Sequence, residues 1–305
     1  MTHRAGELLA ACLASLRAQT RGADEVLVVV SNTRVEVDAP ALQLGENVGY
    51  ARAANAGAAA TTGELLLLND DTRLHPGCLA ALEAAWRGPG VYQPRIVLPG
   101  GTLDNVGHGF FPDGFVWARG RDGPDAPLPG EPGGFSGAAV LVARGVWRAL
   151  GGFDERFDSF GEDVDLSLRL MRRGIPVTAV HDARVEHLLG ATYGRTGPDK
   201  VRRIERNRVR AAIRSLPATA LVTMPLWTAA RYALLAGLAA DGRGPGRGVP
   251  ERSRRAALEG IAEGLRDVPT WWRARAEDRP HWTRGELAMW RAMLAGRARW
   301  EDLCR

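Results

Sequence analysis

Lysine is nearly missing from this sequence. Lys200 is the only one among 40 basic residues, so arginine carries almost all the positive charge, a bias that points to a GC-rich genome rather than to function. Cysteine is scarce too: Cys12, Cys78 and Cys304 are odd in number, far apart and form no Cys-x-x-Cys pair. That excludes a disulfide framework or a zinc knuckle and fits a reducing cytosol. No secretion signal stands out. The short apolar run Leu8–Leu16 carries Glu7 at its head and spaces Leu8, Leu9, Cys12, Leu13 and Leu16 along one helical face. There is no internal repeat, and no glycine-rich phosphate loop bearing a lysine or arginine, which counts against a nucleotidyltransferase.

What is present is a globular composition. The 305 residues are 45% apolar and 25% charged, enough for one large domain or a domain with an appendage. The charge is uneven: residues 201–305 hold 21 arginines against 11 acids, +10, so residues 1–200 carry −5 if the whole is +5.

Short apolar strands alternate with helices through the first half. Glu25–Val30 reads as a buried strand, Leu42–Leu44 as a short one and Tyr50–Ala60 as an alanine-rich helix ended by Gly63. Glu64–Leu68 is a second buried strand that stops at Asn69-Asp70-Asp71-Thr72, and Pro76 opens a helix running through Trp86. This alternation with short links predicts a parallel sheet covered on both faces. Gly, Pro and Asp crowd the stretch from Val91 to Pro132, which predicts turns and short strands, or a mobile loop over a site. Phe135–Ala143 returns as a strand, and Val177–Val180 and Ala183–His187 read as two more.

The stretch Gly151–Gly174 organises the chain. Val164, Leu168 and Met171 share one helical face, Arg172 and Arg173 sit where the helix dipole favours cations, and Gly174 and Pro176 end the helix. Glu162 and Asp163 lie in its first turn, where acids are ordinary caps but where a rigid helix mouth also presents a carboxylate to a cleft. Asp70-Asp71 ends a strand, the place where α/β sheets bind ligands. Two hard oxygens there either cap the turn before Pro76 or suit Mg²⁺ or Mn²⁺ together with substrate phosphates. His187 closes another strand, and a lone histidine is more often structural than a ligand. If these three places converge, one crevice holds a metal, a diphosphate and a base.

Four blocks then follow in order: Glu46-Asn-Val-Gly-Tyr-Ala-Arg-Ala-Ala-Asn-Ala-Gly57, Gly63-Glu-Leu-Leu-Leu-Leu-Asn-Asp-Asp-Thr72, Phe135-Ser-Gly-Ala-Ala139 through Gly152-Phe-Asp-Glu-Arg-Phe-Asp158, and Glu162-Asp-Val-Asp-Leu166. A weaker fifth joins His187 and Thr192 to Glu205-Arg-Asn-Arg208. The ordered set, spanning about residues 7–215, resembles family 2 glycosyltransferases of the GT-A fold, in particular their rhamnosyltransferase-like branch. The resemblance implies a Rossmann-like α/β fold over residues 1–214, with a mixed or parallel sheet flanked by helices, and a helical Arg- and Trp-rich appendage over 215–305. By the same resemblance Asp71 is the metal-binding acid of a DxD-type motif whose first Asp is replaced by Asn69. Asp70 stands beside it, and His187 is a further ligand for Mg²⁺ or Mn²⁺. Asp163 is the catalytic base, and Glu162 orients or binds the acceptor. Asn47, Gly49 and Asn55 line the nucleotide-diphosphate site, and Ser31 stands where relatives keep a base-binding Asp. The implied reaction is an inverting displacement that moves a sugar from a dTDP-, UDP- or GDP-sugar to a glycan or lipid-linked acceptor in cell-surface polysaccharide synthesis.

Relatives begin with an apolar central strand, of which only Thr2-His3-Arg4 of the following loop is here, so a misassigned start or a truncation is expected. A catalytically inactive scaffold is the alternative from another class. In the tail, Ser215–Ala240 carries one charge, Arg231, and is long enough to cross a bilayer, yet Pro217, Pro225 and Arg231 oppose a simple span. It is either core or, as its flanks with Trp271, Trp272, Trp282, Trp290 and Trp300 favour, an interfacial patch on anionic lipid at the inner face of the plasma membrane. A linker is expected at Asp241–Pro250. Nucleic acid fits poorly, because the acidic half would repel it.

Overall fold

A computed structural model describes residues 1–2, 6–32, 36–188, 197–240 and 251–297. Thr33, Thr192, Trp300 and the stretch 241–250 lie outside them. Helix α1 (Glu7–Arg17) leads to β1 (Val28–Val30), which pairs in parallel with β2 (Ala41–Gln43). Then come α2 (Tyr50–Ala60), β3 (Leu65–Leu68), β4 (Thr72–Leu74), α3 (Cys78–Ala85), β5 (Val91–Val97), β6 (Leu103–Asn105), β7 (His108–Phe110), β8 (Val116–Ala118) and β9 (Ala139–Val142). Helices α4 (Arg144–Leu150) and α5 (Glu162–Arg172), strand β10 (Val177–His187) and helix α6 (Pro198–Ser215) follow. The chain ends in α7 (Ala218–Ala240), α8 (Glu251–Arg266), α9 (Val268–Asp278) and α10 (Glu286–Ala295).

The main sheet runs β3-β9-β5-β10-β4, with β6 on β5. It is mixed rather than wholly parallel, because β9 inserts antiparallel between β3 and β5 while β5 and β10 pair in parallel. The Gly- and Pro-rich stretch after Val91 opens with β5, a central strand that the sequence pattern hides. Pro94 offers no N–H, and pairing to β9 ends at Tyr92. The Gln93 side chain takes over, donating to Ala139 O at 3.2 Å and to Pro94 O at 2.8 Å, and accepting from Ser136 N at 2.7 Å. The two short strands expected at Val177 and Ala183 are one, broken by a bulge between Val180 and Arg184.

The tail shares a core with α5. Phe157, Val164, Leu168 and Met171 pack with Val209, Trp271, Met289 and Met293. Arg172 donates to Ser215 O at 2.6 Å, pairs with Glu286 at 3.1 Å and lies 4.0 Å over the Trp282 ring. Trp271 and Trp282 are thus packing residues, not a lipid-facing belt. Arg231, the one charge in α7, is buried in an ion network: it meets Asp113 at 2.9 Å and Glu205 at 3.0 Å, and Arg208 holds Glu205 at 2.8 Å. No helix among the described residues is long and apolar enough to cross a membrane.

Removing one partner of a buried ion network strands the others. Arg231→Ala should therefore cost about 3–5 kcal/mol in chemical denaturation. A loss below ~1 kcal/mol, the range of an exposed pair, would contradict the burial argument.

Candidate active site

A cleft of about 480 Å³ opens beyond the ends of β3 and β10, beside the mouth of α5. Ser31, Asn47, Gly49, Asp70, Asp71, Glu162, Asp163 and His187 all line it. Of the residues picked out in the sequence, Asn55 alone does not.

Strand register brings Asp71 and His187 together. Strand β10 pairs His187 with Thr72 of β4, one residue past Asp71. The imidazole Nε2 then lies 3.3 Å from Asp71 Oδ1, and Nδ1 lies 3.0 Å from Asp104 Oδ2 on β6. Asp104 also pairs with Arg121 at 2.9 Å, so it is fixed from both sides. Burial alone would lower the His187 pKa, but the flanking carboxylates of Asp104 and Asp71 outweigh it and push the ring up to about 9. Asp70 accepts a hydrogen bond from Thr2 Oγ1 at 2.5 Å.

These residues fit a divalent cation. Asp71 Oδ1 is buried with no hydrogen-bond partner and faces an imidazole nitrogen. A carboxylate oxygen with an imidazole suits Mn²⁺, and Mg²⁺ and Mn²⁺ complete such sets with substrate phosphate oxygens. Among the described residues no group of three or more His, Cys, Asp or Glu side chains is arranged to hold a metal ion.

The acid pair sits at the N-terminus of α5. Gly161, at φ 100°, turns the chain into the helix, and a Cβ there would come 2.9 Å from Asn207 Cβ. Asn207 of α6 clamps the preceding loop, donating to Phe157 O at 3.0 Å, Ser159 O at 3.3 Å and Phe160 O at 2.5 Å. Asp163 accepts from Gly137 N at 3.1 Å and from Val164 N at 2.8 Å. Glu162 is buried, and burial followed by the charge of Asp163 pushes its pKa well above the ordinary carboxylate range. Its Oε2 has no hydrogen-bond partner. The pair is therefore unequal: burial favours the protonated form of Glu162, while Asp163 accepts two backbone N–H groups, the kind of difference by which two adjacent carboxyls take different roles. Tyr50 supports the same corner: its hydroxyl donates to Gly137 O at 2.5 Å, and burial with the nearby acids keeps the phenol protonated.

Of the residues expected at the nucleotide, Ser31 Oγ accepts from Val48 N at 3.0 Å, and Asn47 Oδ1 from Gly49 N at 3.2 Å. Gly49 is at φ 79°, and a Cβ on it would reach within 2.2 Å of Asp158 Oδ1, so only glycine lets the Asp158 loop close over α2. Asn55, expected to line this site, is instead used up in structure. Its amide donates to Phe153 O at 2.8 Å and to Glu155 Oε1 at 3.1 Å, and its oxygen accepts from Phe153 N at 3.1 Å. It fixes the Phe153 backbone.

Sequence reasoning passed over Asp104, His108 and Lys200. Asp104 and His108 sit in the Gly-rich stretch, where nothing in the pattern marked them. His108 lines the cleft, buried, and burial with the charge of Arg121 lowers its pKa against the pull of Asp163 and Asp104. Lys200 reaches the cleft from the first turn of α6, with its ammonium 5.4 Å from the Phe160 ring. Being the sole lysine was its one signal.

If His187 holds the metal, as the resemblance implies, binding would displace the His187 proton, and Mn²⁺ affinity should then rise with pH by up to tenfold per unit, roughly, and level off near pH 9. Asp104→Asn should move that plateau to lower pH. Calorimetric titration with Mn²⁺ from pH 6 to 9.5 checks this, and a flat affinity between pH 7 and 9 would contradict it.

Residues 65–235 match the family described as "Glycosyl transferase family group 2". Over 206 residues the chain is 32% identical to the O-antigen biosynthesis protein RfbC of Myxococcus xanthus, covering 59% of this chain and 16% of that protein. Over 185 residues it is 30% identical to the N-acetylglucosaminyl-diphospho-decaprenol L-rhamnosyltransferase of Mycobacterium tuberculosis, covering 50% of this chain and 60% of that one. The chain thus spans less than two-thirds of either relative. Among solved structures, the Pyrobaculum calidifontis mannosyltransferase PcManGT in complex with GDP-Man and Mn²⁺ aligns over 98% of this chain and 85% of its own, at TM-score 0.51 and 17% identity. GalNAc-T7 with UDP, GalNAc and Mn²⁺ aligns over 69% of this chain and 47% of its own, at TM-score 0.53 and 15% identity. At such identities these two show the fold, which is GT-A. With the family match covering more than half its length, the chain belongs to glycosyl transferase family group 2.

Proposed function

We propose that this protein transfers a sugar from a nucleoside-diphosphate donor to an acceptor hydroxyl with inversion. The observation that carries the reading is the lining of one cleft by both a metal-fitting Asp71–His187 pair and an unequal Glu162–Asp163 pair. Asp163 accepts the proton of the acceptor hydroxyl as that oxygen attacks the anomeric carbon. The bonds from Gly137 and Val164 aim its carboxylate. Glu162, held neutral, donates a hydrogen bond to the acceptor and so orients it. Asp71 and His187 would hold Mg²⁺ or Mn²⁺, which when bound neutralises charge on the departing diphosphate. Lys200 adds a positive charge on the α6 side of the cleft, and Ser31, Asn47 and Gly49 frame the nucleotide.

The acceptor side points to lipid. The decaprenol-linked substrate in the name of the mycobacterial relative supports a polyprenyl-linked glycan as acceptor and a place in cell-surface polysaccharide synthesis. Helix α7 turns Arg231 inward and leaves Val222, Leu226 and Trp227 exposed at 81%, 68% and 41%. An uncharged, apolar outer face of this kind suits peripheral docking on the inner leaflet, with the arginines of the tail facing anionic headgroups.

Asp163→Asn should lower the transfer rate by about a hundred- to ten-thousand-fold while nucleotide binding persists. Asp71→Ala should instead lose the metal-dependent part of nucleotide affinity. Transfer surviving the first change would remove Asp163 as the base. Leu226→Glu should weaken partition onto anionic vesicles by about tenfold, the equivalent of one lost buried leucine. Unchanged sedimentation with vesicles would exclude α7 as the docking face.

A further inference from the structure

Among the described residues, three side chains lining the cleft carry a buried polar atom with no hydrogen-bond partner: Asp71 Oδ1, Glu162 Oε2 and His108 Nδ1. The first two serve the metal and the acceptor as proposed, and His108 is unassigned. A buried polar atom left unpaired costs stability, so a histidine kept in this state serves more than packing. An apolar side chain of similar size would fill the space with nothing to satisfy.

The backbone holds His108 in place without help from its ring. His108 N donates to Gly134 O at 2.7 Å, and His108 O accepts from Gly133 N at 2.9 Å and from Gly134 N at 3.2 Å. On its other edge β7 pairs His108 with Ala118 of β8. Gly107 makes the approach possible: its φ is 84°, and a Cβ on it would come 2.4 Å from Pro132 Cβ and 2.7 Å from Gly134 O. The ring lies within electrostatic reach of Asp163 and of Asp104, the residue bonded to His187. A molecule reaching from Asp163 to the Asp71–His187 pair therefore passes close to it. In an inverting displacement that part is the transferred sugar, whose anomeric carbon stands between the attacking hydroxyl and the departing diphosphate.

We propose that His108 recognises the transferred sugar, its imidazole hydrogen-bonding one hydroxyl of the sugar ring. Resting on the glycosyl transfer proposed above, this role sets which sugar is accepted and leaves the reacting proton to Asp163. Burial lowers the pKa of the ring, so at neutral pH it meets the sugar uncharged. A neutral imidazole offers one donor and one acceptor, and a hydroxyl can answer either. A site built round such a bond rejects a sugar that lacks the hydroxyl, because the buried nitrogen is then left unpaired again.

The test is titration calorimetry of the full chain in Mn²⁺ with dTDP-L-rhamnose, UDP-N-acetylglucosamine, UDP-galactose and GDP-mannose, each set against its own nucleoside diphosphate. For the sugar nucleotide that the wild type binds, His108→Phe should lower affinity about tenfold while the bare diphosphate changes by less than about twofold. His108→Gln, which keeps a donor and an acceptor, should stay within about threefold of the wild type. One single-deoxy analogue of that sugar should bind the wild type about tenfold more weakly than the parent, and bind His108→Phe no more weakly than the parent does. Should His108→Phe fold poorly, His108→Met takes its place under the same criteria. An equal loss for the sugar nucleotide and the bare diphosphate overturns the proposal, and so does a loss that His108→Gln fails to restore. Binding of none of the four by the wild type would overturn the proposed function itself, whereas a bound sugar nucleotide indifferent to His108 overturns this role alone.

Discussion

Glu162, buried beside Asp163 at the mouth of one buried helix, is pushed well above the ordinary carboxylate range, and much of this structure serves to hold that helix still. Burial and the charge of Asp163 favour the protonated form of Glu162. Behind them, Asp165 pairs with Arg169 at 2.7 Å, and Arg169 ties α5 to Leu150 O at 2.7 Å and Gly152 O at 2.9 Å. Arg214 reaches in from α6 at 3.2 Å from Asp165, and Arg172 binds the far end to Ser215 and Glu286. These anchors come from α4, α6 and α10. The C-terminal helices therefore set the position of the acid pair as well as carrying an exposed face of their own.

The second constraint is register. His187 meets Asp71 because β10 runs antiparallel to β4, and the bulge between Val180 and Arg184 resets its phase before the strand reaches the cleft. A slip of one residue would turn the imidazole to the other side of the sheet. Asp104 then decides which ring nitrogen faces Asp71, the kind of outer support on which metal-ligating histidines depend.

Much of this was legible in the sequence where one physical signal dominated. Continuous apolar runs marked β1 and β3, and the periodicity and end signals of α5 placed both its boundary and its acid pair. The loop at Asn69-Asp70-Asp71 could be set at a strand end because Leu65–Leu68 is unmistakable. Strand β5 was not legible, since Pro94 and Arg95 break its pattern and the compensation comes from a Gln93 side chain bonded 46 residues away. Asn55 looked like a ligand-site residue because it sits in a family block, but its amide is committed to Phe153. Asp104 and His108 carried no local signal, for only the folding of the β6–β7 segment against β10 and the cleft gives them neighbours. In the tail, composition does not say which tryptophans are packed: Trp271 and Trp282 lie against arginines and core, and only the tertiary packing separates them from the exposed Trp227 and Trp272.

The central claim is a metal-dependent nucleotide-sugar donor site, and titration calorimetry of the unmodified protein with UDP, dTDP and GDP, each with and without Mn²⁺, tests it most directly. The account predicts that one of the three binds at least tenfold tighter, roughly, when Mn²⁺ is present, since a cation held by Asp71 and His187, as proposed, would take diphosphate oxygens as further ligands. Equal affinity with and without the metal for all three nucleotides would contradict it.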